Sequence, residues 1–262
     1  MSYTQAIINQ DITFFGLGET LTDEQLNFIK ASETQRILFL DSIAGGGKTT
    51  IAVALAKLLL DSYPNRYKKV LYTFSPVEED KMGFRPGTQP EKEAAYIVPL
   101  KDALEAIQEK PERAIRHIDL EGNDYGTGWV TACSHTFMRG TNLPQQIIII
   151  DEAQNFTLSE LRKLITRAHY SSLIIVIGHR GQCDLPNPST SGFIPYQLHY
   201  QNHPDGWVGK FTFNFRGEVS RHADRLGNFK ILPDGRFSLT VRHDDGSEEE
   251  RIYESNGELV TG

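Results

Sequence analysis

Two short stretches of this chain carry residue types suited to phosphate chemistry: Gly45-Gly46-Gly47-Lys48-Thr49 and, about a hundred residues on, Asp151-Glu152. Glycines let backbone N–H groups approach an anion closely, a lysine ammonium meets β- and γ-phosphate oxygens, and a threonine hydroxyl is a hard ligand for Mg²⁺. An aspartate followed by a glutamate offers one carboxylate to hold such an ion through water and another to polarise an attacking water. Together the two stretches describe water attack on a bound triphosphate.

The flanking residues are the ones needed to position these groups. Arg36-Ile37-Leu38-Phe39-Leu40 reads as a strand without polar alternation, which suits a central parallel strand covered on both faces. After the glycine turn, Thr50 to Leu60 is Ala/Leu-rich and places Ile51, Leu55, Leu58 and Leu59 on one helical face. Strand, loop and helix therefore form a phosphate cradle from Ala44, Gly45, Gly46, Gly47, Lys48, Thr49 and Thr50. The pattern GxxxxGK[ST] asks for glycine at position 42, where this chain has Ser42. Ile147-Ile148-Ile149-Ile150 is a β-branched buried strand that delivers Asp151 and Glu152 at its carboxyl end, where open parallel sheets bind ligands.

The chain has 262 residues, enough for one α/β domain with an appendage. Its net charge of −7 excludes general attraction to nucleic acid, so such binding would need a local basic patch. Cys133 and Cys183 make no disulfide framework and no CxxC pair. No signal-peptide layout opens the chain and no apolar run approaches membrane-spanning length, so a soluble, cytoplasmic protein is expected.

Further elements follow in order. Ile12 to Phe15 reads as a short strand, and Thr22 to Lys30 as a helix whose Thr22 and Gln25 form a capping box. Val70 to Phe74 is the second strand; Glu91 to Glu109 and Glu112 to Ile118 read as helices; Trp129 to Cys133 is a strand. A helix starts near Thr157, Leu173 to Gly178 is a buried strand, Lys210 to Phe215 a further strand, and Glu218 to Leu226 a short helix. From about residue 228, three turn signals (Pro233-Asp234-Gly235, Asp244-Asp245-Gly246 and Ser255-Asn256-Gly257) separate strand-like runs, including Phe237 to Val241 and Arg251 to Tyr253. This is an acidic β-meander, giving an organisation of 1–227 as the main domain and 228–262 as an appendage.

With these residues in view, the chain resembles the PhoH-like family of P-loop ATPases, relatives of superfamily 1 helicases, over about residues 20–227. Ala44 to Thr49 looks like the Walker A loop. Met82-Gly83-Phe84, Pro86-Gly87 and Pro99 to Leu104 are similar to the segment after the second strand. Phe137-Met138-Arg139-Gly140 leading into Asp151-Glu152-Ala153-Gln154-Asn155 is the most specific match. Gln182 with Asp184-Leu185-Pro186 resembles the polar motif after the next strand, and Phe213-Asn214-Phe215 with Val219, Arg221 and His222 the closing segment. Ser42, Ser75 and His179 depart from the family pattern, and the meander has no counterpart in it.

The resemblance implies an α/β P-loop NTPase of the RecA/helicase-like type: a parallel β-sheet flanked by helices, one strand between the loop strand and the Asp151 strand, plus the small C-terminal meander. It implies ATP and Mg²⁺ as ligands. Lys48 and Thr49 would hold phosphate and metal, Asp151 would support the metal, Glu152 would activate water and Gln182 would sense the γ-phosphate. Gln25 would read the adenine edge, a role that coexists with its capping-box reading. An arginine finger would come from Arg167 or Arg221, each of which reads equally well as a surface salt-bridge residue, with a neighbouring subunit as one source, hence a ring-like homo-oligomer such as a hexamer. Helicase kinship points to single-stranded RNA as a partner, with Arg85, Arg139, His179 and Arg180 touching a strand and Phe84, Tyr125 or Trp129 stacking on bases, although each of these aromatics reads more readily as a core or loop anchor, since large apolar side chains are usually buried. The alternative is a nucleotide-gated binding or assembly protein with slow or no hydrolysis, fed by Ser42, His179 and the meander.

Overall fold

A computed structural model describes residues 2–76, 94–118, 124–125, 127–138, 143–243 and 247–260. The chain divides into two compact units, Met1–Ser42 with Gly47–Phe211 and Ile43–Gly46 with Thr212–Gly262. Met82, Gly83, Phe84, Arg85, Pro86, Gly87, Arg139 and Gly140, singled out above, lie outside the described residues.

The first unit is built on an eight-stranded sheet: β1 (Ile37–Ser42), β2 (Lys69–Phe74), β3 (Ile115–Ile118), β4 (Asp124–Tyr125), β5 (Val130–Ser134), β6 (Gln146–Ile150), β7 (Leu173–Gly178) and β8 (Gly206–Phe211). The order is β4-β3-β5-β2-β6-β7-β1-β8, with β4 alone antiparallel to its neighbour. β7 lies between β1 and β6, the strand order expected of this P-loop NTPase fold. Register pairs Asp41 with Gly178, Ile150 with Val176 and Thr73 with Ile150, which brings the carboxyl ends of β1, β7, β6 and β2 to one rim.

The unbroken apolar runs are explained by burial on both faces. Leu38, Leu40, Ile147, Ile149, Ile175 and Ile177 point to one side, into a core with Phe28, Ile51, Leu55, Leu59, Leu100 and Leu104. Their neighbours Ile37, Phe39, Ile148, Ile150, Ile174 and Val176 point to the other, against Phe156, Leu161, Leu164 and Phe193. Truncating one such side chain to alanine costs about 2–5 kcal/mol against a typical total of 5–15, so the sheet centre tolerates few changes.

The helices are α1 (Tyr3–Ile8), α2 (Asp23–Ala31), α3 (Lys48–Ser62), α4 (Val98–Ala106), α5 (Pro111–Ala114), α6 (Leu158–Ile165) and α7 (Phe193–Tyr200). α3 is buried around most of its girth, Ala52, Val53, Ala54 and Ala56 included, rather than along the single expected stripe. Its small residues admit α4, whose Leu100 and Leu104 are fully buried in the same core.

Four local expectations are corrected. Ile12 to Phe15 is not a strand: Phe14–Gly16 is a 3₁₀ turn with Phe14 and Phe15 at positive φ. Glu112 to Ile118 is not one helix, because after α5 the Ile115 and Arg116 positions pair with β5 and become β3. Of Glu91 to Glu109, the described part is a 3₁₀ turn Ala94–Ile97 followed by α4. The strand expected over 210–215 begins at Gly206 and leaves the sheet after Phe211, since pairing of Ile37 to Ser42 with Gly206 to Phe211 sets its register.

The second unit holds the loop Ile43–Gly46, α8 (Glu218–Asp224) and an antiparallel sheet of β9 (Leu226–Ile231), β10 (Phe237–Arg242) and β11 (Glu248–Tyr253). The expected turn at Pro233-Asp234-Gly235 closes the β9–β10 hairpin, with Gly235 at φ 85° and its N–H on the Leu232 carbonyl.

Candidate active site

β6 ends at Ile150, and the backbone then turns so sharply that Glu152 adopts φ 50°, a left-handed conformation costly for a side-chain-bearing residue. The turn is fixed by Asp151, whose Oδ1 accepts the Glu152 N–H at 2.8 Å. The other Asp151 oxygen accepts from the Thr49 hydroxyl at 2.9 Å and the Tyr72 phenol at 2.7 Å. Asp151 is completely buried. Burial and the neighbouring Glu152 charge raise its carboxyl above the ordinary value, against the pull of Lys48. Burial likewise pushes the Tyr72 phenol well up.

The Lys48 ammonium lies 3.0 Å from Glu152 Oε1, and Gln154 Nε2 donates to Glu152 Oε2 at 2.6 Å. Partial burial alone would raise the Glu152 carboxyl; Lys48 and the Gln154 amide outweigh it and hold it below the usual range. The expected metal pair, Thr49 and Asp151, and the expected phosphate and base pair, Lys48 and Glu152, are thus adjacent on one rim. A carboxylate and a hydroxyl oxygen at hydrogen-bond distance suit a hard cation such as Mg²⁺, which keeps several waters of its own. Thr50 follows on the first turn of α3, partly exposed.

Gln154, read from the sequence only as part of the family match, takes a bridging role that sequence reasoning did not assign. Its buried amide also accepts the His179 N–H at 2.9 Å and donates to the Gln182 carbonyl at 3.0 Å, so one side chain joins Glu152 to the loop after β7. Next to it, Asn155 and Asp184 exchange two hydrogen bonds of 2.8 Å. A Cβ at Gly178 would stand 2.6 Å from Gln154 Oε1, so β7 must end in glycine for the amide to cross it. The alternation Glu152-x-Gln154 after a strand was the available signal.

The loop after β7 is also tied to β1. Asp41 accepts from the Arg180 N–H at 3.1 Å and forms an ion pair with its guanidinium. Arg180 is engaged with Asp41 while its side chain stays largely exposed, and His179 is buried with its backbone on Gln154. Trp129 packs against the core with Lys57 over its ring, 5.6 Å from the centroid, as the core-anchor reading has it. The Gln182 side chain is exposed. Gln25 is buried, its Oε1 accepting the Thr22 N–H at 3.0 Å in the expected capping box. Arg167 follows α6, where its carbonyl accepts the Leu143 N–H at the amino end of β6. Strand rise puts that end roughly 20 Å from Glu152, beyond the reach of an arginine of the same chain.

Ser42, in place of the expected glycine, is the last residue of β1, buried and paired with Phe211. Extended backbone there needs no glycine; the positive φ values fall on Gly45 (74°) and Gly47 (76°). In the second unit the Gly45 carbonyl accepts the Phe215 N–H at 3.0 Å, and buried Asn214 holds the Arg216 N–H at 2.7 Å beside it. Gly46 N–H bonds back to Ile43, while Ala44 is partly exposed. Arg221 on α8 lies 3.6 Å from Glu218.

Comparison with known proteins bears on the same residues. The family described as PhoH-like protein matches residues 19–223. The chain belongs to the PhoH-like family. A PhoH-like protein of Mycobacterium leprae is 33% identical over 179 residues, 67% of this chain and 48% of its own length. One from Synechocystis is 34% identical over 172 residues, 65% of this chain and 49% of its own. The chain spans about half the length of these PhoH-like relatives. Among solved structures, the large terminase of a thermophilic bacteriophage matches with a TM-score of 0.48 and 13% identity, over 92% of this chain and 70% of that one. No helix among the described residues is long and apolar enough to cross a membrane.

Proposed function

We propose that this PhoH-like chain hydrolyses ATP with Mg²⁺. The observation that carries the reading is the meeting of Lys48 with Glu152 at 3.0 Å and of Thr49 with Asp151 at 2.9 Å on the rim where β1 and β6 end. The turn Gly45 to Thr49 receives the phosphates, with Lys48 moving from Glu152 to the β- and γ-oxygens. Thr49 and Asp151 would hold Mg²⁺, which when bound neutralises charge building on the phosphates. Glu152, released from Lys48, regains basicity and takes the proton of the attacking water. Gln154 keeps that carboxylate and the Gln182 loop in register, so that Gln182 senses the γ-phosphate. Gln25 reads adenine from the entrance of α2.

The position of Arg167 on the opposite rim favours supply of a finger by a neighbouring copy, and Arg221 is the other candidate, which makes a ring-like homo-oligomer part of the proposal. Residues 1–227 act as the ATPase domain, with 228–262 as an appendage, in the cytoplasm. Coupling to single-stranded RNA completes the reading. Phosphate release measured with and without single-stranded RNA tests it: stimulated turnover supports an RNA-coupled ATPase, and tight Mg²⁺·ATP binding without turnover replaces it with a nucleotide-gated assembly protein.

A further inference from the structure

The second unit has half of a core. Among its described residues no apolar side chain is buried, yet its three strands collect apolar residues on one face. Cross-strand pairing defines three rows on that face: Ile231–Phe237–Tyr253, Phe229–Leu239–Arg251 and Leu226–Val241–Glu249. Leu226, Phe229 and Ile231 are 56%, 57% and 68% exposed. The opposite face is mostly polar, with Lys230, Ser238, Thr240, Arg242, Glu248 and Glu250. A small sheet of this kind is stable when its apolar face is covered, and a second sheet packing about 10 Å above it is the standard cover.

The rows are self-complementary under a two-fold axis. A two-fold axis crossing the strands between the second and third rows lays the second row of one copy on the third row of the other. Phe229 then meets Leu226, Leu239 meets Val241, and Arg251 meets Glu249. All three crossings are complementary, two apolar and one acid on base, as an isologous contact requires. Within one copy Arg251 and Glu249 already lie 2.7 Å apart, so the contact joins two such pairs into a four-charge cluster at the rim. His243, 3.2 Å from Glu249, borders the same cluster. We propose that this apolar meander face is a self-association surface, where two copies of the chain pack face to face. The surface uses no residue of the nucleotide chemistry and stands independently of it.

Sedimentation equilibrium on the full chain tests the proposal. Glu249→Arg makes the charged corner wholly basic and Arg251→Glu makes it wholly acidic, so each variant alone opposes its own copy. Each is expected to raise the dissociation constant of the two-fold contact by at least about tenfold. An equimolar mixture of the two variants is expected to associate as the parent does, because every crossing is again acid on base; a merely structural effect within one chain would not be rescued this way. Phe229→Lys, at an exposed position, is expected to lose the two-fold contact. A parent that stays monomeric, variants that associate like the parent, or a mixture as weak as its components would each overturn the proposal.

Discussion

The Lys48 ammonium sits 3.0 Å from the Glu152 carboxylate, so the cation proposed for phosphate holds the base proposed for water. Lys48 keeps the Glu152 carboxyl low despite its partial burial. Under the proposed reading, this ion pair keeps the ligand-free chain switched off, and a triphosphate competes for Lys48. Replacing Lys48 by Ala removes a charge-assisted contact to phosphate, and the dissociation constant for Mg²⁺·ATP should rise by at least about tenfold. Fluorescence titration with a labelled nucleotide checks it; unchanged affinity would remove Lys48 from the phosphate site.

Asp151 makes the opposite compromise. Its carboxyl is raised by burial, so in the ligand-free protein the ionised form costs stability. Asp151→Asn should accept the Glu152 N–H and offer its amide to the Thr49 and Tyr72 oxygens, giving a more stable but inactive protein. The sign follows from the raised folded value. Below about pH 4 both forms are neutral and their melting temperatures should coincide, and the Asn variant should gain as pH rises through the Asp151 value. Melting curves from acid to neutral pH check this, and a gap that closes with rising pH would contradict it.

Gln154 is a positioning residue. Gln154→Ala removes the hydrogen bonds to the His179 N–H, the Gln182 carbonyl and one Glu152 oxygen. Each such bond is worth about 0.5–1.5 kcal/mol, so chemical denaturation should show a loss of at least about 1.5 kcal/mol. Turnover should fall by at least about tenfold while nucleotide affinity stays within about threefold, since no phosphate contact is removed. An equal loss in affinity would place Gln154 on the nucleotide instead.

Gly45 and Gly235 share positive φ but differ in surroundings. A Cβ at Gly45 would lie 2.8 Å from Asn214 Oδ1 and 2.9 Å from Arg216 Cγ, whereas at Gly235 nothing lies within 4 Å. Gly235→Ala should cost only the left-handed backbone penalty of about 1–2 kcal/mol, and Gly45→Ala more, with Asn214→Ala relieving part of the excess. Urea unfolding of the three variants decides it; equal costs at the two glycines would show that the loop yields freely.

What could be read from the sequence was what neighbouring residues determine together. Strand, glycine turn and helix from Ile37 to Leu59 follow from an apolar run, a glycine cluster and an Ala/Leu period, and they formed where expected. The strand before Asp151 was equally plain. What long-range pairing decides was hidden: β8 took its register from β1, and Ile115 and Arg116 became a strand against β5. At the candidate site, residue type alone suggests phosphate for Lys48 and metal for Thr49, and the proposed function rests on both. That Lys48 would rest on Glu152, or that Gln154 would bridge to the loop after β7, depends on strands β1, β7 and β6 being neighbours. The Asp41–Arg180 tie likewise joins residues 139 positions apart, and no local pattern announces it.

The most direct test of the account is single-turnover phosphate release by Glu152→Gln beside the parent at saturating Mg²⁺·ATP. The substitution keeps the amide-sized group near Lys48 and Gln154 but removes the proton acceptor. The account predicts retained nucleotide binding and release slowed by about 10²–10⁴-fold. Release at the parent rate would contradict the assignment of Glu152 as the base.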